Sequence, residues 1–328
     1  MTIDELKSLL SHFNIRPDKR LGQNFLLSEK VLDEIVASAQ LTKLDKVLEI
    51  GPGLGVLTRR LGEAAGEVIA VEKDRKLYTV LKKLFKRDEN VEILLGDALY
   101  TDVILNAVKN LDSSVAPFPQ NDKHESAYKL VANIPYYITG KLLQNFLALP
   151  AHNSSQPPLT LRGGVKTPSL RIREGGLPRP TSERVEAGGE LLYRPSLIVL
   201  LLQKEVAERV TAKPGEMSLL SVSVQMYSDP EIISLVGKEN FYPIPEVDSA
   251  VVRLAVLPAP RLPVDERQFF QLVKIGFSNK RKQLHNNLAS GFGPRDWKQV
   301  LASIDLDPLC RAQDLSIASW GKLFDKTR

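Results

Sequence analysis

The segment Leu48-Glu-Ile-Gly-Pro-Gly-Leu-Gly55 constrains this chain more than any other, because an apolar run passes into three alternating glycines and then into a helical pattern from Val56. Glycine at every second position lets the backbone turn sharply and lets a ligand come close to it. The next apolar run, Glu67-Val-Ile-Ala-Val71, ends at Glu72. A carboxylate at that strand tip can accept hydrogen bonds from two ribose hydroxyls. The pattern predicts an α/β sheet with a site for an adenosine-containing ligand at the carboxyl ends of its strands.

The spacing is not the dinucleotide fingerprint, whose last two glycines are separated by two residues. Glu49, just before the loop, would also repel a pyrophosphate. A carboxylate there suits a cationic ligand such as the sulfonium and ammonium groups of S-adenosylmethionine, or else serves to fix the loop. Asp97, in Gly96-Asp-Ala98 after a third apolar run, adds an acid that can receive an adenine amine. A glycine-rich turn alone is weak testimony, since any tight strand-to-helix connection can use one. Three strand ends facing one crevice is the arrangement expected at a topological switch point.

The rest of the chain keeps the same rhythm. Apolar runs at 47–50, 67–71, 91–95, 129–132 and 197–202 alternate with helical patterns at 56–61, 75–85 and 140–148. Runs this continuously apolar belong to strands covered on both faces by crossover helices. The expected fold is therefore α/β, a Rossmann-like doubly wound sheet. Beyond it come a helical stretch at 203–210, an alternating stretch at 219–227 and an apolar strand at 250–256. Pro258-Ala-Pro260 interrupts the pattern, and the remainder of the chain is helical in its periodicity. A sheet domain of residues 1–258 and a small helical domain of residues 259–328 are expected.

Residues 151–195 break the rhythm, with six of the 21 prolines and six of the 20 glycines. That density stops helix and sheet from propagating and leaves too little apolar surface to offset ordering entropy. A mobile insertion tolerated at the surface is expected. Elsewhere 43% hydrophobic residues supply a real core. No continuous apolar stretch is long enough to span a bilayer, and Met1-Thr-Ile-Asp-Glu-Leu-Lys7 has no signal-type apolar region, so no membrane partner and a cytoplasmic location are expected. The lone Cys310 has neither a disulfide partner nor a zinc-type cluster around it, and is expected to be a small buried hydrophobe. No metal site is expected.

Charge is unevenly spread. Residues 259–328 hold 12 Lys/Arg against 7 Asp/Glu, an excess equal to the whole net charge of +5. Lys280, Arg281 and Lys282, followed by His285, are expected on two or three helical turns, where they can neutralise phosphates of a nucleic acid. A solvated basic face is the ordinary alternative. Arg16, Lys19 and Arg20 form a second basic patch.

The apolar run at 129–132 ends in Asn133-Ile-Pro-Tyr136. An amide oxygen, a prolyl-fixed backbone carbonyl and an aromatic face around one cavity can hold the exocyclic amine of a flipped-out adenine. Asn133 and the carbonyl of Ile134 or Pro135 would accept the two N–H bonds, while Tyr136 stacks on the base. A strand that merely ends in a Pro-Tyr turn is the plainer alternative.

Taken together, Arg20-Leu-Gly-Gln-Asn-Phe-Leu26, Glu49-Ile-Gly-Pro-Gly-Leu-Gly55, Asn133-Ile-Pro-Tyr136, Gln203-Lys-Glu-Val-Ala-Glu-Arg209, Phe241-Tyr-Pro-Ile-Pro-Glu-Val-Asp-Ser249 and Phe277-Ser-Asn-Lys-Arg-Lys-Gln-Leu284 resemble the ribosomal RNA adenine N6,N6-dimethyltransferases, most closely the bacterial small-subunit type linked to kasugamycin sensitivity. The resemblance covers nearly the whole chain, apart from 151–195 and 106–126. It implies an S-adenosylmethionine-dependent methyltransferase in which Asn24 and Leu26 help cover the cofactor, Gly51 lies under its methionine part, Glu72 holds the ribose and Asp97 contacts the adenine. It implies that Asn133 sits where donor and target amine meet and supports Phe241 as closing the second face of the base, ordinary core packing beside Pro243 and Pro245 being the alternative for that ring; direct methyl transfer of this kind needs no catalytic metal. The implied target is a pair of adjacent adenosines in the terminal hairpin of small-subunit rRNA, within an immature subunit, and nothing demands more than a monomer. Glu246 departs from the family, which commonly has Lys there, and removes a positive charge near the substrate mouth; Tyr137 follows the Asn-Ile-Pro-Tyr motif. Rival expectations are a large-subunit enzyme of the macrolide-resistance type, a non-catalytic RNA-binding assembly factor, a relative of the mitochondrial transcription factors, and an amino-methyltransferase acting on DNA or protein glutamine.

If the insertion is merely tolerated, deleting residues 151–195 should leave methyl transfer within about tenfold of the intact chain; complete loss of transfer by a folded deletion variant would refute tolerance.

Overall fold

The computed structural model describes residues 3–17, 22–100, 103, 107, 128–134, 138–147 and 194–327. The body of the insertion lies outside these residues, as do Lys19 and Arg20 of the second basic patch.

Seven strands form one mixed sheet. They are β2 (Lys46–Ile50), β3 (Glu67–Glu72), β4 (Val91–Leu95), β5 (Lys129–Asn133), β6 (Leu197–Gln203), β7 (Ser228–Val236) and β9 (Ser249–Val256), in the order β4-β3-β2-β5-β6-β9-β7. The first five are parallel, β9 runs antiparallel to β6, and β7 antiparallel to β9. The chain builds outward from β2 to β4 and then returns to place β5 on the other side of β2. The strand order therefore reverses between β2 and β5, which opens a crevice at their carboxyl ends. A separate two-stranded ribbon pairs β1 (Phe25–Leu26) with β8 (Phe241–Tyr242).

Strand residues alternate between two cores, as a period of two requires. Val47, Val131, Val199 and Val251 face a cluster covered by α2 (Glu29–Ser38) and α3 (Val56–Ala64). Leu48, Leu130, Leu200 and Val252 face the larger cluster on the other side. There they meet α5 (Thr139–Leu147), α6 (Lys204–Val210) and α7 (Leu219–Gln225). Helix α4 (Arg75–Leu84) is started by Asp74, whose carboxylate accepts from the amides of Lys76 and Leu77, and packs beside β3 and β4. Helix α1 (Ile3–His12) buries Leu6 and Leu10 in a smaller cluster with Phe25, Leu54 and Leu77.

Two elements differ from the sequence expectation. The alternating stretch at 219–227 is helical over Leu219–Gln225, because Ser218 caps it through the amide of Ser221 and the hydroxyl of Ser223 bonds back to the Leu219 carbonyl. Strand β7 was not anticipated, and it contains Pro230; at the edge of the sheet a missing amide donor is tolerated. Cys310 is buried as expected, and burial pushes its thiol up to about 11.

After Pro258-Ala-Pro260 come α8 (Glu266–Gly276), α9 (Leu284–Phe292), α10 (Trp297–Ala302) and α11 (Ile317–Asp325). Phe269, Leu272, Trp320 and Phe324 of this tail join the same cluster that covers the sheet, so the core runs on across the proline joint. Polar contacts reinforce it: Arg261 donates to the carbonyls of Gln225 and Ser228 and pairs with Asp229, while Gln313 exchanges hydrogen bonds with Gly215.

Arg194 and Pro195, which the proline density assigned to the insertion, are buried instead. The Arg194 guanidinium lies 4.9 Å from the centre of the Tyr227 ring, and the Tyr227 hydroxyl donates to Glu266 of α8 at 2.5 Å. A planar cation on an aromatic face packs as a hydrophobe does, which a count of prolines and glycines does not register. Arg194 and Pro195 thus belong to the packed fold, and a deletion meant to spare it must stop before Arg194.

Because the Tyr227 hydroxyl is the polar link between sheet and tail here, Tyr227→Phe should lower stability by about 1–2 kcal/mol in urea unfolding. An unchanged midpoint would show that the Tyr227–Glu266 hydrogen bond contributes nothing to holding the tail.

Candidate functional site

The crevice at the carboxyl ends of β2 and β5 is a cleft whose empty space, open mouth included, is about 1120 Å³. Its floor is the loop after β2. Gly51, Gly53 and Gly55 have φ of 68°, 60° and 79°, a left-handed conformation that L side chains resist. Two of them are also short of space: a Cβ on Gly55 would lie 2.5 Å from the Phe85 ring, and one on Gly53 3.3 Å from Phe25. The alternating glycines thus hold the main chain against the cleft.

Two carboxyl groups are buried beside that loop. Glu72, 6% exposed, accepts from the amide of Asp74 at 2.8 Å and from that of Gly53 at 3.2 Å. Burial outweighs these donors and pushes its carboxyl up to about 7. Glu49 is 1% exposed, and burial pushes it up to about 8; the nearby Thr58 hydroxyl opposes the shift and the Glu72 charge adds to it. Glu49 Oε2 lies inside the protein without a hydrogen-bond partner. A buried carboxyl oxygen left in this state is suited to a ligand that brings a positive charge or a donor.

Asp97 closes another side of the cleft. Its Oδ1 accepts from the amide of Leu99 at 3.0 Å and its Oδ2 pairs with Lys73 Nζ at 2.8 Å. The ion pair with Lys73 was not foreseen. Opposite, residues 22–26 form a cover. Phe25 and Leu26 pair with Tyr242 and Phe241, and Leu27 donates to the Asn240 carbonyl at 2.8 Å. Gln23 Nε2 reaches Asp74 Oδ2 at 3.2 Å and so ties the cover to the start of α4. Sequence reasoning missed Gln23 and Asp74; an Asp just ahead of a helical run is a capping signal that would have found the second.

Asn24, Leu26, Gly51, Glu72, Asp97 and Asn133, the residues expected to surround the cofactor, all line this one cleft. Asn133 is the last residue of β5, and its Nδ2 makes a long 3.5 Å contact to the Asn24 carbonyl. That leaves Oδ1 as the end of the amide free to accept. Pro135 and Tyr136 lie outside the described residues, as does Tyr137.

Two expectations change. Phe241 is 2% exposed and packed with Leu26, Val31 and Leu32, so its ring offers no open face to a base here. Paired with Leu26 on the ribbon, the ring falls into the apolar cluster with α2, where burial of its large apolar surface is the stronger pull. Lys280, Arg281 and Lys282 are exposed, but on the turn between α8 and α9, not on a helix. Asparagines divert the backbone there: Asn279 Oδ1 accepts from the Arg281 amide, and the buried Asn287 donates to the carbonyls of Gly276 and Asn279 at 2.6 and 3.1 Å. Glu246 is exposed.

Comparison with known proteins bears on the whole chain. A family model for ribosomal RNA adenine dimethylase matches residues 14–328. The protein named ribosomal RNA small subunit methyltransferase A of Pelotomaculum thermopropionicum is 38% identical over 326 residues, covering 98% of this chain and 94% of that one. Its namesake in a Nostoc species is 39% identical over 315 residues, covering 94% and 97%. Among solved structures, a dimethyladenosine transferase from Plasmodium falciparum superposes with a TM-score of 0.62 at 24% identity, over 92% of this chain and 98% of that one. The 23S rRNA methyltransferase ErmE does so with 0.61 at 22% identity, over 92% and 99%. At those identities the two structures speak for the shared fold alone.

The buried carboxyls give the ligand-free protein a pH signature. Glu49 and Glu72 have folded pKa values above those of an unfolded chain, so the native state holds extra protons. Their contribution is fully present below about 4.5 and is lost as pH rises through about 7 and 8. Glu49→Gln should therefore lose less stability than the wild type between pH 6 and pH 9, by on the order of 2 kcal/mol. Denaturant unfolding of the ligand-free proteins at both pH values measures it, and parallel curves would show that Glu49 is not buried as a neutral acid.

Proposed function

The chain belongs to the ribosomal RNA adenine dimethylase family, and on that premise we propose that it transfers methyl groups from S-adenosylmethionine to N6 of two adjacent adenosines in the 3′-terminal hairpin of small-subunit rRNA. The observation that carries the site assignment is the convergence of Glu49, Glu72, Asp97 and Asn133 on one cleft floored by the glycine loop. The substrate is rRNA within the immature small subunit, and the enzyme works as a monomer. The small-subunit relatives, at 38% and 39% identity, favour this target over large-subunit RNA.

The residues present fit the cofactor. Glu49, with its unpartnered buried oxygen, and Glu72 form a negative pocket that a cationic ligand relieves, and both ionise more readily once it is bound. Glu72 holds the ribose hydroxyls, Gly51 lies under the methionine part, Asp97 receives the adenine amine, and Asn24 and Leu26 cover them. When bound, S-adenosylmethionine supplies a methyl group on a sulfonium, the electrophile of the reaction.

The protein's own task is to make a poor nucleophile react. The lone pair of an adenine amine is delocalised into the ring, so the nitrogen must be made pyramidal and aimed. Asn133 Oδ1 accepts one N–H, and the main-chain carbonyl of Ile134 or Pro135 accepts the other. Both bonds strengthen as positive charge develops on the nitrogen, which stabilises the transition state more than the ground state. Tyr136 stacks on the flipped base and holds it in line. The helical tail from residue 259, with Lys280, Arg281 and Lys282 on its exposed turn, docks on folded RNA through phosphate contacts that position and do not specify. No helix among the described residues is long and apolar enough to cross a membrane.

The test is radiolabelled methyl transfer to small subunits purified from a strain lacking the dimethyltransferase, followed by nucleoside analysis. Dimethyladenosine should appear in the terminal hairpin. Asn133→Ala should lower transfer roughly 100-fold or more while RNA binding survives. Label on large-subunit RNA would instead indicate the resistance-type enzyme, and tight subunit binding without any label a non-catalytic assembly factor.

A further inference from the structure

We propose that the outer face of helix α4 is a second docking surface for the phosphate backbone of the substrate RNA, apart from the C-terminal turn. The proposal rests on the rRNA-methyltransferase reading above and adds to it a surface outside both the cleft and the tail.

From Arg75 to Arg87 the chain holds six cations, Arg75, Lys76, Lys82, Lys83, Lys86 and Arg87, and no acid. All six are exposed. Leu77, Val80 and Leu81 bury the inner face of the helix. At 100° per residue, Arg75, Lys76, Lys82 and Lys83 fall on the opposite side, and Lys86 and Arg87 continue the row in the turn beyond it. The helix alone spans about 15 Å, and its first residues stand at the cleft, where Asp74 and Leu77 are part of the lining.

Stability does not account for this row. On two helices cations are matched by acids one turn away: Lys30 with Glu34 on α2, Lys204 with Glu208 and Arg209 with Glu205 on α6. Among the described residues none of the six cations here has such an ion pair. Lys82 and Lys86, or Lys83 and Arg87, stand four residues apart and repel each other. The helix macrodipole favours Lys82 and Lys83 in the last turn, but it disfavours Arg75 and Lys76 in the first. The one other exposed run of successive unpaired cations on the described tail is Lys280, Arg281 and Lys282, the turn already assigned to RNA.

The partner is a polyanion. No large apolar side chain is exposed between residues 75 and 87, so neither a membrane nor an amphipathic protein surface would find anything to bury. Phosphates spaced along RNA match cations spaced along a helix, and the location is independent of the tail. Helix α4 packs on β3 and β4 at one edge of the sheet, whereas the tail shares a core with α7 and β9. An RNA held at both places is gripped by two elements of the protein that share no core cluster.

The test compares wild type, a variant carrying Lys82→Gln, Lys83→Gln, Lys86→Gln and Arg87→Gln, and a variant carrying Lys280→Gln, Arg281→Gln and Lys282→Gln. Methylation of small subunits, binding of the deproteinised rRNA, and S-adenosylmethionine binding as a check on the fold are measured over a range of salt. For the α4 variant, KM for subunits should rise about tenfold with kcat at saturation unchanged. The slope of log affinity against log salt should flatten by roughly 0.7–0.9 for each phosphate that the variant no longer neutralises. Unchanged KM and slope would overturn the proposal: if the turn variant still weakens binding, the docking role of the tail stands and α4 is a solvated face, and if it does not, both fall. Weaker binding to subunits but not to deproteinised RNA would assign α4 to an acidic protein partner, and that too would overturn it. So would a loss confined to kcat.

Discussion

Two carboxyl groups buried next to each other at the ends of adjacent strands are the constraint around which the rest of this structure is arranged. Glu49 and Glu72 sit on β2 and β3, and burial holds both toward the neutral form, helped at Glu49 by the Glu72 charge and at Glu72 by that of Asp74. Such a pair is costly in a folded protein unless something compensates it. Part of the compensation is built in, through the amides of Gly53 and Asp74 on Glu72. The rest is left open at Glu49 Oε2, which has no hydrogen-bond partner among the described residues and, on the proposed reading, awaits the cationic cofactor. The glycine loop answers the same demand, because only a left-handed backbone at Gly53 brings its amide to Glu72 while leaving the cleft clear.

The cover over these groups has to be held without blocking them. Residues 22–26 are too short to fold alone and borrow their order from three neighbours: the β8 pairing, the Gln23–Asp74 hydrogen bond, and the apolar cluster of α1 with Phe25 and Leu54. Phe241 explains why this works. Its burial anchors β8, which anchors Leu26, so an aromatic expected to stack on a substrate base serves the geometry of the cofactor cover in this arrangement. The same link joins the two ends of the reaction. The loop after β8, where Glu246 is exposed, is joined to the cover through two residue pairs, Phe25 with Tyr242 and Leu26 with Phe241.

How much was legible in the sequence depended on whether local signals agreed with tertiary context. The central parallel strands were readable because each is buried on both faces and therefore continuously apolar, whereas β4 at the edge fully buries only Ile93, and the convergence of Glu72, Asp97 and Asn133 came from their positions at strand ends. Failures came where a polar side chain overrides the pattern. Serines at 218, 221 and 223 fold an alternating stretch into a helix by bonding to its backbone, and Asn279 and Asn287 turn an expected basic helix into a loop. Arg194 shows the opposite error, a charged residue at the end of a proline-rich stretch that packs like an aromatic partner. The Lys73–Asp97 pair was invisible because neither residue's neighbours in sequence announce it.

Summing charge over segments hid a further property. Residues 1–258 are nearly neutral in total, yet that sum combines acids turned into the cleft with cations turned outward on α4. The distinction governs what can enter. On the proposed reading, a phosphate entering this cleft would give up its hydration beside buried carboxyl groups that cannot both stay charged there, whereas an uncharged adenine gives up far less. Phosphates are instead attracted to exposed cations around the cleft, where high dielectric keeps each attraction weak and only several together hold the RNA. An acidic interior with a basic exterior thus sorts a nucleotide into its parts, with the backbone retained outside and the base admitted. Flipping is favoured by the same separation, because the extruded base is the one uncharged piece of the substrate that the cleft accepts.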